Sequence, residues 1–136
     1  MNNIQFIIDG EPKGKARPIV TKTHTFTPQS TVDYEKLVAL SYRNEAKGKA
    51  FGDKPIKLDI NAFFSIPKSA SKKNRELMAK NKIYPTKKPD ADNIIKIIAD
   101  ALNGVAYNDD KQIVECRCGK YYTDSEPFVY VYIQEI

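Results

Sequence analysis

Lys88-Pro89-Asp90-Ala91-Asp92-Asn93-Ile94-Ile95-Lys96-Ile97-Ile98-Ala99-Asp100-Ala101-Leu102-Asn103-Gly104 is the stretch from which the rest of the chain is read. Ile94, Ile95, Ile97, Ile98, Ala101 and Leu102 recur at helical spacing and predict a helix over 90–103 with a broad buried face. Pro89 holds Lys88 extended and keeps the helix from starting earlier. Gly104 suits its C-terminal stop. Two acids, Asp90 and Asp92, fall in the first turn, and Lys96 follows one turn after Asp92.

Upstream, residues 4–8 form a short apolar run that reads as a strand. Gly10, Pro12, Gly14 and Pro18 then enforce a loop over 9–18, and weak alternation over 21–26 predicts a short strand. A helix opens at Pro28 or Ser30 and runs to about Lys47, before Gly48. Its residues Tyr34, Leu37, Val38, Ser41 and Tyr42 share one face and are read as core. Ile56, Leu58, Ile60 and Ala62 occupy one face of a second major strand over 56–66, thickened by Phe63 and Phe64 and stopped by Pro67. Ser69 or Ser71 caps a short basic helix carrying Leu77 and Met78, and a loop fills 81–89. Residues 113–122 and 128–136 read as two strands joined over 123–127 as a hairpin. No repeat or interdomain linker interrupts the chain. The order implies a single α+β domain over 1–136, with a mixed sheet of about four or five strands packed against two main helices.

Charge narrows the class of partner. The formal net charge is +5, a weak pointer to an anionic partner until its placement is considered. Lys68, Lys72, Lys73, Arg75, Lys80, Lys82, Lys87 and Lys88 face a single acid, Glu76, across 68–88. A second basic cluster, Lys13, Lys15, Arg17 and Lys22, lies near the start of the chain. Between Asp90 and Asp110 the balance reverses. Basic residues hold phosphates, while carboxylates hold a cation that the basic residues would otherwise repel. No apolar run reaches membrane-spanning length, and the first residues lack the layout of a signal peptide, so a cytoplasmic protein without membrane contact is expected. Cys116 and Cys118 read as reduced thiols on a strand, and the one histidine, His24, is too distant in sequence to join them in a zinc site.

One acid at the helix start serves as an N-cap; two exceed that need. The helix dipole favours both staying ionised, and together they supply the hard oxygen ligands that magnesium prefers. Asp110 or Asp109 can add a third carboxylate. Lys96 can pair with Asp92 or steady charge on an attacked phosphate. The plain alternatives are a capped helix, a surface ion pair and a turn at Asn108-Asp109-Asp110.

The motif Asp90-Ala91-Asp92-Asn93 with Lys96, then Ala99-Asp100-Ala101-Leu102-Asn103-Gly104, then Tyr107-Asn108-Asp109-Asp110 before Gln112, resembles the RusA family of Holliday-junction resolvases, which has many phage and prophage members. Gly14-Lys15-Ala16-Arg17-Pro18, Thr27-Pro28 and Tyr34-Glu35 are similar to its phage branch, so the resemblance spans nearly the whole chain. It implies a RusA-like fold and a magnesium-dependent homodimeric endodeoxyribonuclease that nicks four-way junctions symmetrically, in recombination and repair, with manganese as a substitute metal. It also implies that Asp90, Asp92 and Asp110 bind the metal and act in catalysis with Lys96, Asp109 being an additional acid. Lys13, Lys15, Arg17, Lys72, Lys73, Arg75, Lys87 and Lys88 are the expected DNA contacts. The basic segment over 69–82 is longer than in compact members of that family.

A two-fold enzyme matches a two-fold substrate. Geometry adds to this. The helix from Asp92 to Asn103 carries the chain about 17 Å away at about 1.5 Å per residue. The seven residues from Gly104 to Asp110 reach back about 23 Å only if fully extended. Donation of Asp110 to the partner's site removes that tension. Two rival readings are a PD-(D/E)xK nuclease, matched by Pro89-Asp90 and Asp109-Asp110-Lys111, and a non-catalytic DNA-binding module.

Overall fold

Alternation decides the inner face of the sheet. In the computed structural model, which describes residues 2–136, β1 (Asn3–Asp9) buries Ile4, Phe6 and Ile8 while the residues between them are exposed. The ribbon β2 (Ile19–Val20) and β3 (Thr25–Phe26) follows, then α1 (Gln29–Ala46), β4 (Ile56–Ser65), α2 (Lys72–Ala79), α3 (Ala91–Leu102), a 3-10 turn (Asp110–Gln112), β5 (Ile113–Thr123) and β6 (Phe128–Glu135). The main sheet is mixed, in the order β1-β6-β4-β5. β6 is antiparallel to both neighbours, and β4 and β5 run parallel. This is the α+β architecture that the order of elements predicts.

The hairpin expected from 113–136 is not formed. β5 and β6 are separated by β4, whose Phe63 pairs with Tyr121 on one side and Phe128 on the other. The short connection after Thr123 passes over the end of β4. A central strand uses both of its edges, and β4 is buried at every second residue from Ile56 to Phe64 and half-buried at the residues between. The expected strand over 21–26 is instead the second half of a two-stranded ribbon. Thr21 turns the chain there: its N–H and its hydroxyl both donate to His24 O, at 2.9 and 2.8 Å.

α1 and α3 pack on each other, α1 also on β1 and α3 also on β5. Tyr34, Val38 and Tyr42 of α1 are buried as expected, but Leu37 lies exposed at the border of that face, and Ala39 and Ala46 complete it. Ile94, Ile97, Ile98, Ala101 and Leu102 of α3 enter the same core, with Ile95 at its margin. On the outer face, Phe63 stacks between Tyr121 and Phe128, at 5.4 and 4.5 Å between ring centroids. Ser71 caps α2, accepting from Asn74 N at 3.1 Å.

Candidate functional site

Asp90 occupies the N-cap of α3 in extended backbone conformation, yet its side chain accepts none of the helix amides. Asp92 sits exposed in the first turn and accepts only from its neighbour's amide, Asn93 N, at 3.0 Å. An N-cap carboxylate that does not cap leaves its oxygens for another cation or donor. The preceding Lys88–Pro89 peptide is cis.

The first loop folds over this helix start. Lys15 N–H donates to Asn93 O at 2.9 Å. Gly14 packs so closely that a Cβ there would come within 2.8 Å of Pro89 Cβ and 3.0 Å of Asn93 Cβ. Between loop and helix lies a cleft of about 800 Å³, lined by Lys13, Arg17, Lys88 and Asp90 among others. Two sequence-distant basic clusters thus converge on the first acid of the motif.

The second acidic pair divides its duties. Asp109 caps the 3-10 turn, accepting from Lys111 N at 2.9 Å, while Gln112 Oε1 accepts from Asp109 N at 2.8 Å. The Lys111 amide holds the Asp109 carboxyl below its ordinary range. Buried Gln112 anchors the turn by donating to Gly52 O and Lys54 O at 2.8 and 2.9 Å. Asp110 has no such backbone duty. Burial, a carboxyl–carboxyl hydrogen bond with Asp109, and the charges of Asp109 and Asp100 push its pKa up; Lys96 pulls it down.

Asp110 therefore shares its surroundings with Lys96, one turn along α3 from Asp92, and with Asp100, two turns along it. Eight residues separate Asp92 from Asp100, about 12 Å along the helix. The return is short because Gly104 N–H donates to Tyr107 O at 2.8 Å, folding 103–107 into a tight turn. Among the described residues, no three His, Cys, Asp or Glu side chains stand together as a metal-binding group within one chain. Lys96 pairs with Asp100 at 3.7 Å and not with Asp92.

The other expected DNA contacts fall into two groups. Lys72 and Lys73 of α2 are exposed, as are Lys13 and Arg17. Arg75, in contrast, spends its guanidinium on Pro67 O at 3.1 Å and Lys68 O at 3.4 Å. Lys87 lies over the Phe64 and Tyr122 rings, 5.9 Å from each centroid. Lys15 is held by Glu35 at 2.9 Å and Asp100 at 3.2 Å. Glu35, Asp100 and Lys120, whose ammonium donates to Lys87 O, are the site neighbours that the sequence reading did not single out. Only the i,i+4 spacing of Lys96 and Asp100 was available to flag one of them.

Carboxylates at a helix start beside cations on loops suit a protein that handles phosphodiesters. The PD-(D/E)xK layout does not apply: Asp90 begins a helix and Asp109-Asp110-Lys111 a 3-10 turn, where that pattern needs neighbouring strands. The chain belongs to the RusA endodeoxyribonuclease family, whose model matches residues 9–134. It is also similar to the uncharacterized protein YqaN of Bacillus subtilis (strain 168), 34% identical over 142 aligned residues that cover all of this chain and 99% of that protein. No helix among the described residues is long and apolar enough to cross a membrane.

Proposed function

We propose that the protein is a magnesium-dependent, structure-selective endonuclease that resolves four-way DNA junctions by paired symmetric nicks, acting as a cytoplasmic homodimer in recombination and repair. The observation that carries this reading is the N-cap carboxylate of Asp90, which caps nothing and borders a basic cleft. Asp90 and Asp92 are exposed oxygen donors one residue apart, a set that suits a hard cation. They hold magnesium, with manganese as substitute. What the ion supplies when bound is an activated water and a polarised phosphoryl group. Lys13, Arg17 and Lys88 grip the DNA backbone on either side of the cleft. Lys96 reaches the attacked phosphate and offsets its developing charge.

Asp110 is the third ligand in this reading, donated by the partner subunit. Support comes from the charge of Asp100, two turns of α3 beyond Asp92, acting on Asp110. The decisive experiment mixes Asp90→Asn with Asp110→Asn protein on a labelled four-way junction, with magnesium or with a chelator. A shared site regains one intact centre and nicks one strand. If the mixture stays dead while the wild type cuts, the donation fails. If the wild type leaves the junction uncut in magnesium, the nuclease reading itself fails.

A further inference from the structure

The first loop carries a lysine whose charge is already committed. Lys15 Nζ lies 2.9 Å from Glu35 Oε2 and 3.2 Å from Asp100 Oδ2. Lys96 Nζ approaches that same Asp100 oxygen at 3.7 Å. Two ammonium groups thus compete for one carboxylate oxygen, and they compete unequally. The Lys15 side chain is 21% exposed and the Lys96 side chain 61%. A shorter, more shielded contact is the stronger one, because water screens the exposed partner. A second carboxylate, Glu35, and the Lys15 N–H to Asn93 O bond keep Lys15 in place.

We propose that Lys15 is a positioning residue for Lys96: by satisfying Asp100 it keeps Lys96 loosely held and able to swing to the phosphate. The inference rests on the reading of Lys96 as the phosphate-facing lysine. Charge accounting gives its direction. Glu35, Lys15, Asp100 and Lys96 sum to zero, so each carboxylate has a cation. Remove Lys15, and Asp100 keeps Lys96 as its paired cation. The pull on Lys96 then becomes undivided, and the lysine is captured along its own helix. Lys15 thereby leaves the set of phosphate contacts and acts at one remove, through a carboxylate.

A double-mutant cycle separates this role from simple DNA contact. Single-turnover cleavage of a labelled four-way junction is measured in magnesium with saturating enzyme, for wild type, Lys15→Met, Asp100→Asn, the double variant, Lys15→Arg and Lys96→Ala. Junction affinity is measured alongside. Lys15→Met should slow the saturating rate by roughly ten- to a hundredfold, the scale of a misplaced catalytic group, with little change in affinity. Lys15→Arg should recover most of the rate. In the Asp100→Asn background, where Asp100 can no longer capture Lys96, Lys15→Met should change the rate by less than about threefold, within the scatter of uncoupled sites. The proposal is overturned if Lys15→Met weakens affinity but leaves the saturating rate intact, or if its defect is the same with and without Asp100. Lys15→Gln, which keeps hydrogen-bonding reach to Glu35, carries the same cycle if the methionine variant melts early. A wild-type rate from Lys96→Ala overturns both this proposal and the role of Lys96. A slow Lys96→Ala beside a fast Lys15→Met overturns this proposal alone.

Discussion

Replacing Gly14 by alanine should lift the basic loop off α3 without unfolding the protein. The added Cβ would sit 2.8 Å from Pro89 Cβ and 3.0 Å from Asn93 Cβ, well inside carbon–carbon contact distance. Neither neighbour gives easily, since Pro89 is a ring and Asn93 belongs to a helix. Overpacking of this kind costs about 1–3 kcal/mol. The loop is fastened there by the Lys15 N–H to Asn93 O bond, worth about 0.5–1.5 kcal/mol net. The half-buried ion pairs of Lys15 add a contribution of similar size. Strain and fastening are thus comparable, so the loop opens before the core deforms. Strain of about 1–3 kcal/mol corresponds to roughly five- to 150-fold faster amide exchange by local opening. The assay is hydrogen exchange at the Lys15 amide, with junction affinity measured in parallel. Slow exchange at Lys15 together with wild-type affinity would refute the close-packing argument.

Other outcomes follow from the same geometry. Asp110→Asn should abolish cleavage while leaving junction binding intact, whereas Asp109→Ala, which removes the cap on Lys111 N, should mainly lower stability, by about 0.5–2 kcal/mol; denaturant melts and nicking assays on both variants check the division. Lys72→Ala with Lys73→Ala should flatten the salt dependence of junction binding by about one unit of log–log slope per lost contact, while Arg75→Ala, already bonded to Pro67 O and Lys68 O, should act on stability and not on slope. The pKa of Asp110 is raised in the folded state, by burial first. The folded protein therefore binds that proton more tightly than the unfolded chain. The penalty is absent below the ordinary carboxylate pKa and grows as pH rises through the raised one. Asp110→Asn should melt higher than wild type at neutral pH, with the gain vanishing under acid; a pH series of thermal melts tests the sign.

The α3 segment was legible because local signals agree: Pro89 bars an earlier start, six apolar residues share a face, and Gly104 stops the helix. The four strands of the main sheet were legible one by one, but their order was not. The Thr123–Phe128 connection has a length that fits a hairpin, and nothing local records that β4 lies between the two strands. The outward Phe63, which stacks between rings from both neighbouring strands, was the available clue. At the site, Asp90, Asp92 and Asp110 stood out by spacing, and the cleft beside Asp90 gives the first of them a setting. Lys15 did not stand out as an ion-pair partner. Its partners Glu35 and Asp100 come from different helices, and only packing of α1 on α3 brings them within reach.

The pairing of Asn3 with Gln134 sets a timetable for synthesis. β1 leaves the ribosome before the other described elements, yet its one partner in the sheet is β6, which follows all of them. Until then its amides and carbonyls have no ladder to join. Contacts so distant in sequence fold slowly, because the long loop must close before they contribute. The segment that follows β1 is the one bearing Lys13, Lys15 and Arg17. A nascent chain can therefore assemble α1, β4 and α3 while this arm is still untethered at its near end. Competence to engage DNA should appear late and abruptly, when the C-terminal strand arrives, and not by degrees as the polypeptide lengthens.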